Sequence, residues 1–254
     1  MAASIDIRDL EARRGTFCLS VSELSIASGE VFAILGTTGS GKTVLLEAIA
    51  GAFPLEEGEV LIDGAPMSDV AVQDRGLGIL YQDHALFPHM TVRQNIEYGA
   101  RVRGVPSQEA RKKANELMAL FGIEGIAESY PGAISGGESQ RTALSRALMV
   151  EPDVLLLDEP FSALDPATKK RLYSVLEDVH DRFGCTMVFV THDFNEAHGL
   201  ADRVGIVLDG KLRTVRDASK LFDREGMDED VMAFLGLDEE TTADEPHEEE
   251  REQR

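Results

Sequence analysis

The sequence predicts an α/β fold: a mostly parallel sheet with helices on its faces, an antiparallel β part near the start, and a helical insertion. Three observations predict it. Short apolar runs that read as buried strands alternate with helical patterns along the chain. One run, Val31–Leu35, leads directly into Gly36-Thr37-Thr38-Gly39-Ser40-Gly41-Lys42-Thr43 and then a helical pattern from Val44 to Ala50. Another, Val154–Leu157, is continuous enough for a fully buried parallel strand and ends in Asp158-Glu159-Pro160.

The first segment, Ser4 to Ile26, alternates apolar and polar residues in the antiparallel manner. The stretch after Val31–Leu35 fits G-x-x-x-x-G-K-[ST] in the strand, loop and helix setting that a phosphate-binding loop needs. Its glycines permit positive φ and let backbone N–H groups approach phosphate oxygens, and the new helix points its positive end at the same anion. Lys42 is placed to neutralise β- and γ-phosphate charge, and the Thr43 hydroxyl to ligate Mg²⁺. A further strand, Gly78–Tyr81, precedes Gln82. Residues from about 86 to 150 contain no clear core strand. They read as helices: Thr91-Val-Arg-Gln94 has capping-box spacing, and Ala110, Ala114, Leu117, Met118 and Phe121 recur at helical intervals.

Ser135-Gly136-Gly137-Glu138 is a helix start, with Ser135 and Glu138 spaced as a capping box and two glycines leaving bare N–H groups. Two acids then close the Val154 strand, where open α/β sheets bind ligands. Asp158 suits a hold on Mg²⁺, and Glu159, aimed differently, suits accepting a proton from an attacking water. Asp165-Pro166 reads as an N-cap with Pro at the first helical position. Leu172, Val175, Leu176, Val179 and Phe183 form the stripe of the helix that follows, and the strand Met187–Val190 runs to His192.

In this order the stretches resemble the ATP-binding cassette family. Ile134-Ser135-Gly136-Gly137-Glu138 stands for its signature motif, Gln82 for the Q-loop, Ser162-Ala-Leu-Asp165 for the D-loop and His192 for the H-switch. The resemblance covers about residues 5 to 235. It implies a P-loop NTPase core of RecA-like type, an antiparallel β subdomain, and a helical signature subdomain at about 86–150, all within one domain of residues 1–235 ahead of an acidic tail at 236–254. It also implies ATP and Mg²⁺ as cofactors and a head-to-tail homodimer. Each ATP then lies between Gly36–Thr43 of one subunit and Ser135, Gly136, Gly137 and Glu138 of the other, with Asp165 nearby. Glu159, His192 and Gln82 become the catalytic set, and Thr43, Gln82 and Asp158 the metal ligands. The chain departs from the pattern where the family stacks adenine on an aromatic: Arg13-Arg14-Gly15-Thr16-Phe17 occupies that region, with Phe17 or Arg14 the candidates. Val44 replaces a common second hydroxyl after Thr43, Ile134 the usual Leu, and Glu138-Ser139 two common glutamines.

The formal charge is −21, from 46 acids against 25 bases. Without the last seventeen residues it is still −14, so the body is acidic as well as the tail, and lysines are seven against eighteen arginines. Such self-repulsion is tolerable where molar salt screens it, which points to the salt-rich cytoplasm of a halophile. The sign excludes a basic nucleic-acid surface. No apolar run spans a bilayer, Ile5-Asp6-Ile7-Arg8-Asp9 is too charged for a signal peptide, and Cys18 and Cys185 read as reduced core residues. From Asp238 onward the chain reads as disordered.

Gln82-Asp83-His84-Ala85-Leu86-Phe87-Pro88 resembles the Q-loop region of importer ATPases, where a permease helix docks, and Leu86-Phe87-Pro88 reads as exposed. The implied protein sits on the cytoplasmic face of the membrane and drives two permease subunits served by an extracytoplasmic binding protein. Gly15–Ser20, Lys42–Gly51 and Asn95–Gly99 are most similar to the archaeal molybdate/tungstate group. Importers of sulfate, iron, polyamines or sugars, and a permease-free cassette for cofactor assembly, are the alternatives. The C-terminal regulatory domain of many such importers is not expected here.

Overall fold

The computed structural model describes residues 2–162 and 164–237; of the predicted tail at 236–254, everything from Asp238 on lies outside the described residues. In chain order the strands are β1 (Ile5–Arg14), β2 (Phe17–Ile26), β3 (Val31–Leu35), β4 (Glu57–Ile62), β5 (Ala65–Pro66), β6 (Leu77–Leu80), β7 (Val154–Asp158), β8 (Thr186–Thr191), β9 (Arg203–Leu208) and β10 (Lys211–Asp217). The α-helices are α1 (Lys42–Ala50), α2 (Val92–Val102), α3 (Ser107–Phe121), α4 (Gly136–Leu148), α5 (Pro166–Phe183), α6 (Phe194–Leu200) and α7 (Glu229–Phe234).

All ten strands join one sheet in the order β5-β4-β1-β2-β10-β9-β3-β8-β7-β6. Strands β9, β3, β8, β7 and β6 are mutually parallel, with Leu35 beside Thr191 and Asp158 beside Val190. The other half is antiparallel, through β9–β10, β2–β1, β1–β4 and β4–β5. Within that half β10 joins β2 through a thin parallel seam, with Lys211 opposite Ser20. The antiparallel segment read from the sequence is thus continuous with the parallel sheet.

The parallel strands alternate between two hydrophobic clusters, as a period of two requires when both faces are covered. Ala33, Leu35, Leu155 and Leu157 face a cluster shared with α2 to α6, whereas Phe32, Ile34, Leu156 and Val190 face one shared with α1 and the antiparallel strands. Between β6 and β7 the described chain holds α2, α3 and α4 with short 3₁₀ turns. α2 starts at a capping box in which Thr91 Oγ accepts from Gln94 N and the Gln94 side chain answers the Thr91 N–H. α3 buries Ala110, Ala114, Leu117, Met118 and Phe121. Among the described residues no helix is long and apolar enough to cross a membrane.

The cysteine expectation needs one correction. Cys185 is buried, but Cys18 is exposed, because it points outward between Phe17 and the buried Leu19 of β2. Burial pushes the Cys185 thiol up to about 11. A thiol reagent is therefore expected to label only Cys18 in the native protein and Cys185 only after denaturation; two rapid equivalents without denaturant would contradict this packing.

Candidate active site

The loop from Gly36 to Thr43 joins β3 to α1, so the parallel sheet delivers it to the carboxyl edge. At Gly36 a Cβ would stand 2.1 Å from the Val207 carbonyl oxygen, so the close approach to β9 requires glycine. Gly41 has φ 108°, and its missing Cβ leaves room for the Phe17 ring. Lys42 turns back on the loop: its Nζ donates to the carbonyls of Gly36 at 3.0 Å and Thr37 at 2.9 Å. Burial lowers its pKa, opposed by the charges of Glu159 and Asp158. The Ser40 hydroxyl is buried with no hydrogen-bond partner among the described residues.

Asp158 ends the fully buried strand β7 and accepts from the Thr43 hydroxyl at 3.0 Å. Burial pushes its carboxyl up, and the Thr43 bond partly offsets that. Glu159 leaves the strand with φ 46°, a left-handed conformation that non-glycine residues seldom adopt and that collects at functional sites. The turn is held from both sides: Glu159 N donates to Val190 O, and the N–H and hydroxyl of Ser162 donate to Glu159 O. His192 follows β8, with Nδ1 3.7 Å from Glu159 Oε1, near but outside hydrogen-bond distance.

Lys42, Thr43, Gln82, Glu159, His192 and Phe17 line one cleft of about 450 Å³, with Thr38 and Gly39 at its loop side. Arg14 is engaged elsewhere, paired with Glu47 at 2.6 Å and lying 4.3 Å over the Phe53 ring. Of the two base-stacking candidates, only Phe17 reaches the cleft.

Ser135 to Glu138 do not line this cleft. They form the capped start of α4, in which the Ser135 N–H and hydroxyl both donate to Glu138 Oε2, at 2.8 and 2.7 Å. A Cβ at Gly136 would meet nothing within 4 Å, so packing inside this chain does not demand glycine there. Asp165 also lies outside the cleft; its carboxylate caps α5 through the N–H groups of Ala167 and Thr168.

Three positioning residues escaped the sequence reading. Asn95 is fully buried in α2, where its amide accepts from Phe87 N and donates to the carbonyls of Phe87, Met90 and Thr91. Arg146 of α4 donates to the carbonyls of His84 and Ala85, two consecutive residues with positive φ just after Gln82. Gln140 of α4 is buried and donates to the Pro160 carbonyl, just after Glu159. An Asn on the buried face of α2, beside Val92, Ile96 and Ala100, was a legible signal; the two α4 residues gave none. The segment Leu86–Phe87 is also less exposed than expected: both are half-buried, with Phe87 against Tyr98 and beneath Arg146, and only Pro88 stands out.

The family profile described as ABC transporter matches residues 19–162. A sulfate/thiosulfate import ATP-binding protein of Synechocystis is 40% identical over 92% of this chain and 66% of its own length. A probable protein of the same description from Chlorella vulgaris is also 40% identical, over 92% of this chain and 99% of itself. A molybdate/tungstate import ATP-binding protein of Thermococcus kodakarensis is 43% identical, over 92% and 69%. Among solved structures, the dimeric ATP-binding cassette MJ0796, in a post-hydrolysis state with ADP and Pi, superposes with a TM-score of 0.76 at 29% identity. That match covers 84% of this chain and 98% of the other. With the cleft and these matches together, the chain belongs to the ABC transporter family, on the side of its ATPase subunits.

Proposed function

We propose that this chain is the ATP-hydrolysing motor of an importer for a tetrahedral oxyanion, working as a head-to-tail homodimer on the cytoplasmic face of the membrane with two permease subunits and an extracytoplasmic binding protein. The observation that carries the reading is the convergence of Lys42, Thr43, Glu159, His192 and Gln82 on one cleft. The relatives support the cargo class only. Those named for sulfate/thiosulfate and for molybdate/tungstate match at 40% and 43% identity, so the preference for molybdate/tungstate gives way to oxyanions as a class.

An ammonium has three N–H donors, and Lys42 gives two to its own loop. The third serves a phosphate, joined by backbone N–H groups of the loop. Thr43, Asp158 and Gln82 offer an all-oxygen set, which suits a hard cation such as Mg²⁺; that ion would supply charge neutralisation at the phosphates. Glu159 takes the proton of the attacking water, with His192 and Gln82 orienting water and phosphate. Phe17 packs beside the base. The open side of Gly136 supports a second copy approaching from outside, where Ser135, Gly137 and Glu138 meet the other subunit's nucleotide and Asp165 follows.

The test is purification of the tagged protein from its native membranes in molar KCl, with its companions identified by mass spectrometry. A stoichiometric permease, and ATPase activity that rises when sulfate or molybdate is supplied with the binding protein, are the expected results. A soluble partner alone would overturn the transport reading and favour a permease-free cassette.

A further inference from the structure

One buried carboxylate takes no part in the chemistry above. Glu196 of α6 is 4% exposed, although it lies on a short helix beside the cleft. Its Oε1 accepts from Lys169 Nζ at 2.8 Å and from the Tyr173 hydroxyl at 3.3 Å, both on α5. Its Oε2 accepts from the hydroxyl of Thr191, the last residue of β8. Thr191 Oγ1 in turn accepts the N–H of Asp193 at 3.0 Å. His192 is the residue between them, so the backbone on both of its sides is set by the hydroxyl that Glu196 holds. The His192 side chain is 63% exposed, and among the described residues its one side-chain contact is the 3.7 Å approach to Glu159.

We propose that Glu196 is the positioning residue for His192, and that it ties the histidine to the helix entered from Asp165. The inference rests on the role given to His192 above. Physically, the carboxylate has two ends. One is charge-paired to Lys169, four residues into the helix that Asp165 caps; the other holds the strand end that presents the imidazole. A displacement of the α5 start therefore reaches His192 through three side chains without crossing the sheet. Burial of the Tyr173 ring and its nearness to Glu196 push the phenol up to about 12, so it stays a donor in this cluster throughout the working range.

Glu196→Gln preserves shape but not the pattern: an amide oxygen can serve Lys169 and Tyr173, yet its NH₂ then meets a hydroxyl that was a donor. The experiment measures ATP turnover and ATP affinity in Glu196→Gln, His192→Ala and the double variant. Glu196→Gln alone is expected to lower kcat about tenfold, as loss of an orienting partner typically does, with ATP affinity changed less than about twofold. In the His192→Ala background the same substitution is expected to change kcat less than about twofold, because the group it positions is gone. Equal losses in both backgrounds, or a single variant at the parental rate, would overturn the inference. His192→Ala at the parental rate would instead overturn the role of His192 itself. Thr191→Val cuts the same link from the other end and carries the same expectations if Glu196→Gln does not fold.

Discussion

Replacing Glu159 by Gln is expected to cut ATP turnover by about a thousandfold while leaving ATP binding intact, since a positioned general base supplies about 10²–10⁴ in rate. The amide is isosteric, so the Glu159 backbone at φ 46° and its bonds to Val190 and Ser162 persist. The groups assigned to the phosphates and to the cation, Lys42 and Thr43, are anchored by other partners: the loop carbonyls and Asp158. What changes is the ability to take a proton. Unhydrolysed ATP then keeps the closed state in place, and gel filtration with ATP is expected to show a stable dimer that the parent forms only transiently. Hydrolysis at the parental rate under single-turnover conditions would remove Glu159 as the base.

Lys42→Met is expected to weaken ATP binding by about a hundredfold, in line with about 1.5–3 kcal/mol for a hydrogen bond to a charged group. The thioether matches the lysine stem in volume but satisfies neither the Gly36 nor the Thr37 carbonyl. Removing the ammonium also removes its desolvation cost, so the two effects on folding oppose each other and stability is expected to shift by no more than about 1 kcal/mol. Binding and folding thus separate: titration calorimetry reports the loss and thermal unfolding does not. Unchanged ATP affinity would mean that the loop holds phosphate through its backbone alone.

Where the physics is local, the sequence was legible. The strand, glycine loop and helix at residues 31–50, the caps at Thr91, Ser135 and Asp165, and the apolar runs of β7 and β8 each depend on residues within a few positions of one another, and the structure shows each of them. Even the outward turn of Cys18 was readable in the alternation of β2. What was not legible depends on distant partners. No local pattern says that β10 lies against β2, or that Arg146 and Gln140 of one helix reach carbonyls 61 and 20 residues away. The half-burial of Leu86 and Phe87 has the same origin, since α2 and α4 supply their cover.

Helix α4 has thirteen residues and is therefore a rod about 20 Å long. Gln140 near its start grips the loop after β7, and Arg146 near its end grips the loop after β6. A rod fastened at two points removes a degree of freedom. The loop carrying Glu159 and the loop carrying Gln82 are thereby tied to one helix, whose capped start is Ser135. On the roles proposed above, a push on the outer side of the β6 loop is passed along α4 to the turn that carries Glu159, with no separate messenger between them.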